Sequence, residues 1–313
     1  MIPTLITLAV SFVLGLVLYP FFIRLLQRLR AGQVIQEELP DTHQKKAGTP
    51  TGGGILFVVL AIAGGALATL AGHPGALPAV VALAAGGALG AADDSSKLSR
   101  GAIGIPARLK LPIQFVLAAP VAWLALNAAG WHEAWLPLPA PLLFVIAWVG
   151  VVGAANAVNL TDGMDGLAGG LSVIALLALV LLLPGAQAGE AATAVTLSGA
   201  LLAFLVFNRY PARVFMGDTG ALGIGYALAA MAIQQGLLIL LPLVGLVFVL
   251  ETLSVIIQVA YFKATGGRRV FKMTPIHYTF HHEGWSENRI ALSFWGAGLV
   301  SALAAFGVAR LIS

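Results

Sequence analysis

Apolar residues run along this chain in long unbroken blocks, with polar residues collected in short segments between them. Ten blocks have the length of a membrane-spanning helix: 3–23, 54–71, 76–92, 111–128, 137–157, 167–184, 191–207, 219–233, 236–262 and 290–311. A spanning helix needs about 20 mainly apolar residues. The stretch from Thr219 to Phe262 is broken only by Gln234 and Gln235. As a single helix at about 1.5 Å per residue it would run about 66 Å, twice the hydrocarbon thickness, so two helices turning at the Gln pair are predicted.

Composition supports this reading. The 313 residues are 59% apolar and 10% charged, with a mean hydropathy of +0.94. A soluble domain carries about 25% charged residues, and disorder requires low hydrophobicity. The absence of cysteine excludes disulfides, zinc–thiolate sites and thiol nucleophiles. The predicted fold class is an all-α polytopic integral membrane protein with ten transmembrane helices, in a single integral domain over 1–313.

Charge placement sets the orientation. Connections from Arg24 to Lys46, Lys97 to Lys110, Arg209 to Arg213 and Lys263 to Arg289 hold every Lys and Arg except Arg310. The alternate connections hold none. By the positive-inside rule the basic connections are cytoplasmic and both termini lie outside. No basic residue precedes the first block, which favours a retained helix over a cleaved signal. The net charge of +4 needs no nucleic-acid partner to explain it.

Carboxylates are costly in lipid, yet several sit at predicted cytoplasmic helix ends. Asp93 and Asp94 close the third block in Asp93-Asp94-Ser95-Ser96-Lys97. Adjacent carboxylates repel unless a cation or proton lies between them, and Mg²⁺ is usually held by one or two carboxylates with substrate phosphates. The segment Asn156 to Gly170 holds Asn156, Asn159, Asp162, Gly163 and Asp165, with the Asn pair on one helical face. The segment Asn208 to Gly220 holds Asn208, Arg209, Arg213, Phe215 and Asp218 before a helix. For Asp165 and Asp218, a plain helix cap is the ordinary alternative.

Two further inner segments carry candidate chemistry. Lys46-Ala-Gly-Thr-Pro-Thr51 leads through glycines into the second block and suits phosphate contact. His277, His281 and His282 lie in the last inner connection. A metal site or a single His acting on phosphate are both open there. Glu251 is an acid within a block, and its ordinary reading is a packing residue bonded to a partner. These segments all fall on one membrane face, which fits chemistry on a phosphorylated substrate between water and bilayer. The predicted active site is therefore cytoplasmic.

Together these residues resemble the polyprenyl-phosphate N-acetylhexosamine-1-phosphate transferase superfamily. Within it the chain is similar to the bacterial phospho-N-acetylmuramoyl-pentapeptide transferases. The resemblance rests on Lys46 to Thr51, Asp93 to Lys97, Lys110 with Gln114, Asn156 to Gly166, Phe215 to Asp218, Glu251 to Gln258, and Thr274 to His277 with Gly284-Trp285. It implies transfer of phospho-MurNAc-pentapeptide from its UDP carrier to undecaprenyl phosphate, with Mg²⁺, giving lipid I and UMP in a bacterial inner membrane. It implies Asp218 as a magnesium ligand with Asp162 near the metal. Asp93 and Asp94 would serve the lipid phosphate, Asp93 as general base, with Lys97 neutralising phosphate. Asn156, Asn159, Asp162, Gly163 and Asp165 would line the nucleotide pocket, and Phe215 would pack on uracil. Lys46, Thr51, Asn208 and Gln258 would complete the substrate pocket, with His277 near the phosphates or sugar. A homodimer is also implied.

The chain departs from the family where three consecutive His are usual: only His277 matches, and Tyr278 and Thr279 follow it. Gly52 stands where Met is usual. A relative using UDP-GlcNAc for another surface glycan is the first alternative. A secondary transporter is the remote one, but transporters show related halves and ion sites near the midplane, and no half-repeat is evident here.

Overall fold

The computed structural model describes residues 2–29, 48–99, 104–134, 137–182 and 186–312. Among these residues the regular structure is all helical, with no strand. The long helices are α1 Ile2–Arg28, α2 Gly54–Leu70, α3 Leu77–Ser99, α4 Ala107–Ala128, α5 Ala140–Thr161, α6 Leu167–Leu177, α7 Ala188–Asn208 and α8 Gly217–Gln234, then α9 Leu246–Ala264. A short α10, Ile276–His282, precedes α11, Glu287–Ile312. Seven of the described helices are long and apolar enough to cross a membrane, and the α2 and α6 regions are shorter apolar helices.

The helix α8 forms the centre. Every residue from Asp218 to Gln234 is buried. Its sequence, Gly-Asp-Thr-Gly-Ala-Leu-Gly-Ile-Gly-Tyr, lets neighbours approach to backbone contact, the packing favoured where lipid supplies no hydrophobic drive. A Cβ on Gly220 would lie 2.9 Å from the Cα of Gly54 on α2, and one on Gly225 would lie 2.4 Å from the Cα of Ala155 on α5. Thus α2, α3, α4 and α5 all pack on α8. The outward faces of α1, α4 and α9 expose large apolar residues, among them Val10, Phe21, Val116 and Ile256.

Helix ends depart from the apolar blocks in an informative way. The helix α3 continues to Ser99, beyond the predicted end at residue 92, so Asp93, Asp94 and Lys97 lie on it rather than past it. The helix α4 begins at Ala107, before the predicted start at 111, so Lys110 is helical. Apolar length measures the hydrocarbon crossing, and a helix continues past it where its polar face finds partners. The chain does turn at the Gln pair: α8 ends at Gln234 and Gly236 takes φ +67°. The next long helix starts at Leu246 rather than 236, after a 3-10 turn at Leu238–Leu240 and a single turn at Leu241–Val244. Glu133 holds that turn, accepting the Leu238 N–H at 3.1 Å.

Candidate active site

The first N–H groups of a helix have no partner within it. No side chain of α8 caps its start. Asp94 on α3 does so instead. Asp94 Oδ1 accepts the N–H of Asp218 at 3.0 Å, and Oδ2 accepts the N–H and hydroxyl of Thr219 at 3.0 and 2.7 Å. Gly90 allows this contact, since a Cβ there would lie 2.2 Å from the Asp218 carbonyl oxygen.

Asp93, one residue earlier, makes a separate set of contacts. Its Oδ1 accepts the Ile105 N–H at 2.6 Å. Its Oδ2 meets Lys97 Nζ at 2.8 Å and Lys110 Nζ at 3.3 Å. Both lysines also reach Asp218: Lys97 Nζ lies 2.8 Å from Oδ1, and Lys110 pairs with Oδ2. Asn159 Nδ2 donates to Asp218 Oδ1 at 3.1 Å. Four helices, α3, α4, α5 and α8, therefore deliver two carboxylates, two ammonium groups and one amide to a single cluster. In such a partly desolvated place, opposite charges hold each other more strongly than in water.

Asp162 follows α5 beside this cluster and is partly accessible. Burial pushes its carboxyl well above the usual range, and the charges of Asp218, Asp94 and Asp165 add to the rise. Adding positive charge there would offset that repulsion. Among the described residues, however, no three His, Cys, Asp or Glu stand together as a ready ion cage, the three His of the last connection included. The available acceptors are carboxylate oxygens, the donor type that Mg²⁺ takes singly or in pairs alongside phosphate oxygens.

The other candidate residues divide into those facing the cluster and those bracing its walls. Asp165 Oδ2 accepts the Ala212 N–H at 2.9 Å, and Asn208 Oδ1 accepts the Gly166 N–H at 2.9 Å while Nδ2 donates to the Val214 carbonyl at 2.9 Å. These two buried residues tie the 162–166 turn to the 209–216 segment. Phe215 is partly exposed, and its backbone N–H donates to the Pro50 carbonyl at 2.8 Å. The Gly53 N–H returns a bond to the Phe215 carbonyl at 2.8 Å, which brings Thr51 beside Gly217. Gln258 Oε1 accepts the N–H groups of Val270 and Phe271, both at 3.0 Å, and so braces the last inner connection. Asn156 turns to Gln114 on α4, at 2.8 Å, rather than toward Asp218. Lys46 lies outside the described residues.

His277 and Glu251 are both fully buried. His277 Nδ1 lies 3.1 Å from Glu251 Oε2, and the His277 N–H donates to the same oxygen at 3.4 Å. This is the partner expected for the buried acid. Gly163 packs on the imidazole, since a Cβ there would lie 2.4 Å from His277 Nε2, and Tyr278 donates its hydroxyl to the Gly163 carbonyl at 3.2 Å. Tyr278 thus has a specific place although it departs from the family pattern.

The sequence profile of glycosyl transferase family 4 matches residues 76–236, the stretch that contains the cluster. The chain is 44% identical over 311 residues to the phospho-N-acetylmuramoyl-pentapeptide-transferase of Geobacillus kaustophilus (strain HTA426), covering 95% of each. It is 43% identical over 310 residues to that of Shouchella clausii (strain KSM-K16), covering 95% of this chain and 94% of the relative. To that of Symbiobacterium thermophilum it is 44% identical over 307 residues, 92% of this chain and 90% of the relative. The chain belongs to the phospho-N-acetylmuramoyl-pentapeptide transferases of glycosyl transferase family 4. It is accordingly a multi-pass membrane protein of the phosphoglycosyl transferase class.

In the sequence, Lys110 stands out only by its place in the family pattern and among the inner basic residues. In the structure it is as central as Lys97. Its signal is its position: a cation immediately before an apolar block, on the helix that faces the Asp93 segment.

Proposed function

We propose that this chain transfers phospho-MurNAc-pentapeptide from UDP-MurNAc-pentapeptide to undecaprenyl phosphate, forming lipid I and UMP in peptidoglycan biosynthesis. The observation that carries this reading is the cluster of Asp93, Lys97, Lys110 and Asp218, with Asn159 and Asp162 beside it. Its two ammonium groups bridge carboxylates here and would turn to a diphosphate as it enters. Phosphoryl transfer asks the protein mainly for positioning and charge, which this arrangement supplies.

In the reaction the lipid phosphate oxygen attacks the β-phosphorus of the UDP-sugar. A new P–O bond forms, the bond to the bridging oxygen breaks, and UMP leaves. Asp93 accepts the proton of the lipid phosphate. Asp94, with both oxygens engaged by α8, fixes the place of Asp218. Lys97 and Lys110 neutralise phosphate charge, Asn159 orients Asp218, and Asp162 and Asp165 border the nucleotide pocket beside Phe215. Thr51 lines the approach from the first inner loop, and Lys46 of the same loop would contact substrate phosphate. Asp218, with Asp162 beside it, would hold Mg²⁺, which when bound with the diphosphate offsets the charge developing on the leaving oxygen. The buried His277 acts through the Gly163 turn that it contacts.

The topology belonging to this reading has ten spans in one integral domain, both termini outside, and the cluster at the cytoplasmic face of a bacterial inner membrane. The basic residues collected in the predicted inner connections, Lys97 and Lys110 of the cluster among them, support it. A homodimer is part of the family expectation.

The test is a detergent-solubilised assay with UDP-MurNAc-pentapeptide, undecaprenyl phosphate and Mg²⁺. UMP release that depends on the lipid is expected. Asp93→Asn is expected to abolish turnover while UDP-substrate binding survives. UMP release that ignores the lipid, or label crossing a vesicle without chemistry, overturns the reading.

A further inference from the structure

The cluster is assembled from four helices, so its geometry depends on how those helices are registered against one another. One helical turn deeper lies a polar contact that the reaction does not use. Asn156 Nδ2 on α5 donates to Gln114 Oε1 on α4 at 2.8 Å, and Gln114 Nε2 donates back to Asn156 Oδ1 at 3.4 Å. Asn156 Nδ2 also donates to the Val152 carbonyl at 2.8 Å. From α8, Tyr226 donates its hydroxyl to the Gln114 carbonyl at 2.7 Å. Gln114 and Tyr226 are fully enclosed.

Each member of this knot sits at a fixed helical step from a group in the cluster. Gln114 is one turn beyond Lys110 on α4, and Asn156 is three residues before Asn159 on α5. Tyr226 is two turns beyond Asp218 on α8. Residues three or four apart share a helix face, so the knot and the cluster lie on the same faces of the same three helices. A reciprocal amide pair is satisfied in one register only. Sliding or rotating α4 against α5 would strand the enclosed Gln114 amide without its partner, where burial keeps water from replacing it. An apolar contact would tolerate such a slip. Buried polar residues are best attested in this role of fixing register.

We propose that the Gln114–Asn156 amide pair, tied to α8 through Tyr226, is the positioning device that holds Lys110 and Asn159 against Asp218. The inference rests on the transferase reading above. In place of the nucleotide-pocket role expected for Asn156, the two amides are turned to each other and act through the residues one turn away.

The experiment compares Gln114→Met, Asn156→Ala and the exchange Q114N/N156Q with the full-length wild type in detergent. Gln114→Met keeps the side-chain volume, so a cooperative thermal transition near that of wild type is expected. Its kcat for lipid-dependent UMP release is expected to fall about 100-fold, the scale of a 1 Å misplacement, with both KM values nearly unchanged. Asn156→Ala should behave likewise. The exchange keeps the combined length of the two side chains and should restore most of kcat. Folded single variants with wild-type kcat overturn the proposal, as does an exchange variant no better than the weaker single. If Gln114→Met does not fold, the exchange decides, because recovery of kcat is still required of it. A wild type without lipid-dependent UMP release is a different result, and it defeats the transferase reading itself.

Discussion

Asp94 on α3 caps the start of α8 by accepting the N–H and the hydroxyl of Thr219 on the same oxygen, at 3.0 and 2.7 Å. The cap of the central helix therefore comes from a different helix, and it fixes Asp218 relative to Asp93. Asp94→Ala leaves the α8 N–H groups orphaned, at a cost of about 1–3 kcal/mol. Its thermal transition should drop and turnover should be lost. Thr219→Val removes one of the three bonds and should keep a large part of the activity. Asn is a good cap in its own right, so Asp94→Asn should unfold at a higher temperature than Asp94→Ala. Equal melting of the two would show that capping is not what the carboxylate contributes.

Gly90 permits that cap. A Cβ there would meet the Asp218 carbonyl carbon at 2.3 Å and the Thr219 nitrogen at 2.4 Å, both backbone atoms that cannot swing aside. Gly90→Ala must push α3 away from α8, and overpacking of this kind costs about 1–3 kcal/mol. Reduced thermal stability and a loss of turnover are expected together. Gly153 offers the control, since nothing lies within 4 Å of a Cβ built there, and Gly153→Ala should leave both unchanged.

The apolar blocks, the turn at the Gln pair and the gathering of Asp93, Asp162 and Asp218 at one end were legible in the sequence. Block length and hydropathy report apolar helices, and both are local properties. The continuation of α3 through Lys97 was not legible, because the polar residues there are stabilised by groups on α4 and α8 rather than by their own neighbours. Lys110 was hidden for the same reason. Asn156 and Asn159 share a face, yet Asn156 turns to Gln114 and Asn159 to Asp218, a division that only the packing of α4 and α8 decides. The acid Glu251 read as a partnered packing residue, but spacing could not name His277, which lies in a separate helix.

Divalent metal is expected to be required for turnover. A chelator should stop UMP release, and added Mg²⁺ should restore it. Asn159 donates to Asp218 Oδ1 at 3.1 Å, and a group that orients a metal-binding carboxylate typically contributes about 10–100-fold in metal affinity. A Mg²⁺ titration of Asn159→Ala should therefore be displaced to higher concentration by a factor in that range. A titration that overlays wild type would remove Asn159 from this role.

Glu251 and His277 form a buried pair beneath the Gly163 turn, and neither is accessible to substrate as placed. Removing one member of a buried pair leaves the other without compensation, which is more damaging than never having had the pair. Glu251→Ala should lower the thermal transition and also reduce turnover, because His277 packs on Gly163, which adjoins Asp162. Glu251→Gln retains an acceptor for the His277 N–H and should fall between the alanine variant and wild type in both measurements. A turnover loss in Glu251→Ala without any loss of thermal stability would instead place the carboxylate in the chemistry. Wild-type behaviour in both would mean that the turn holds its position without the pair.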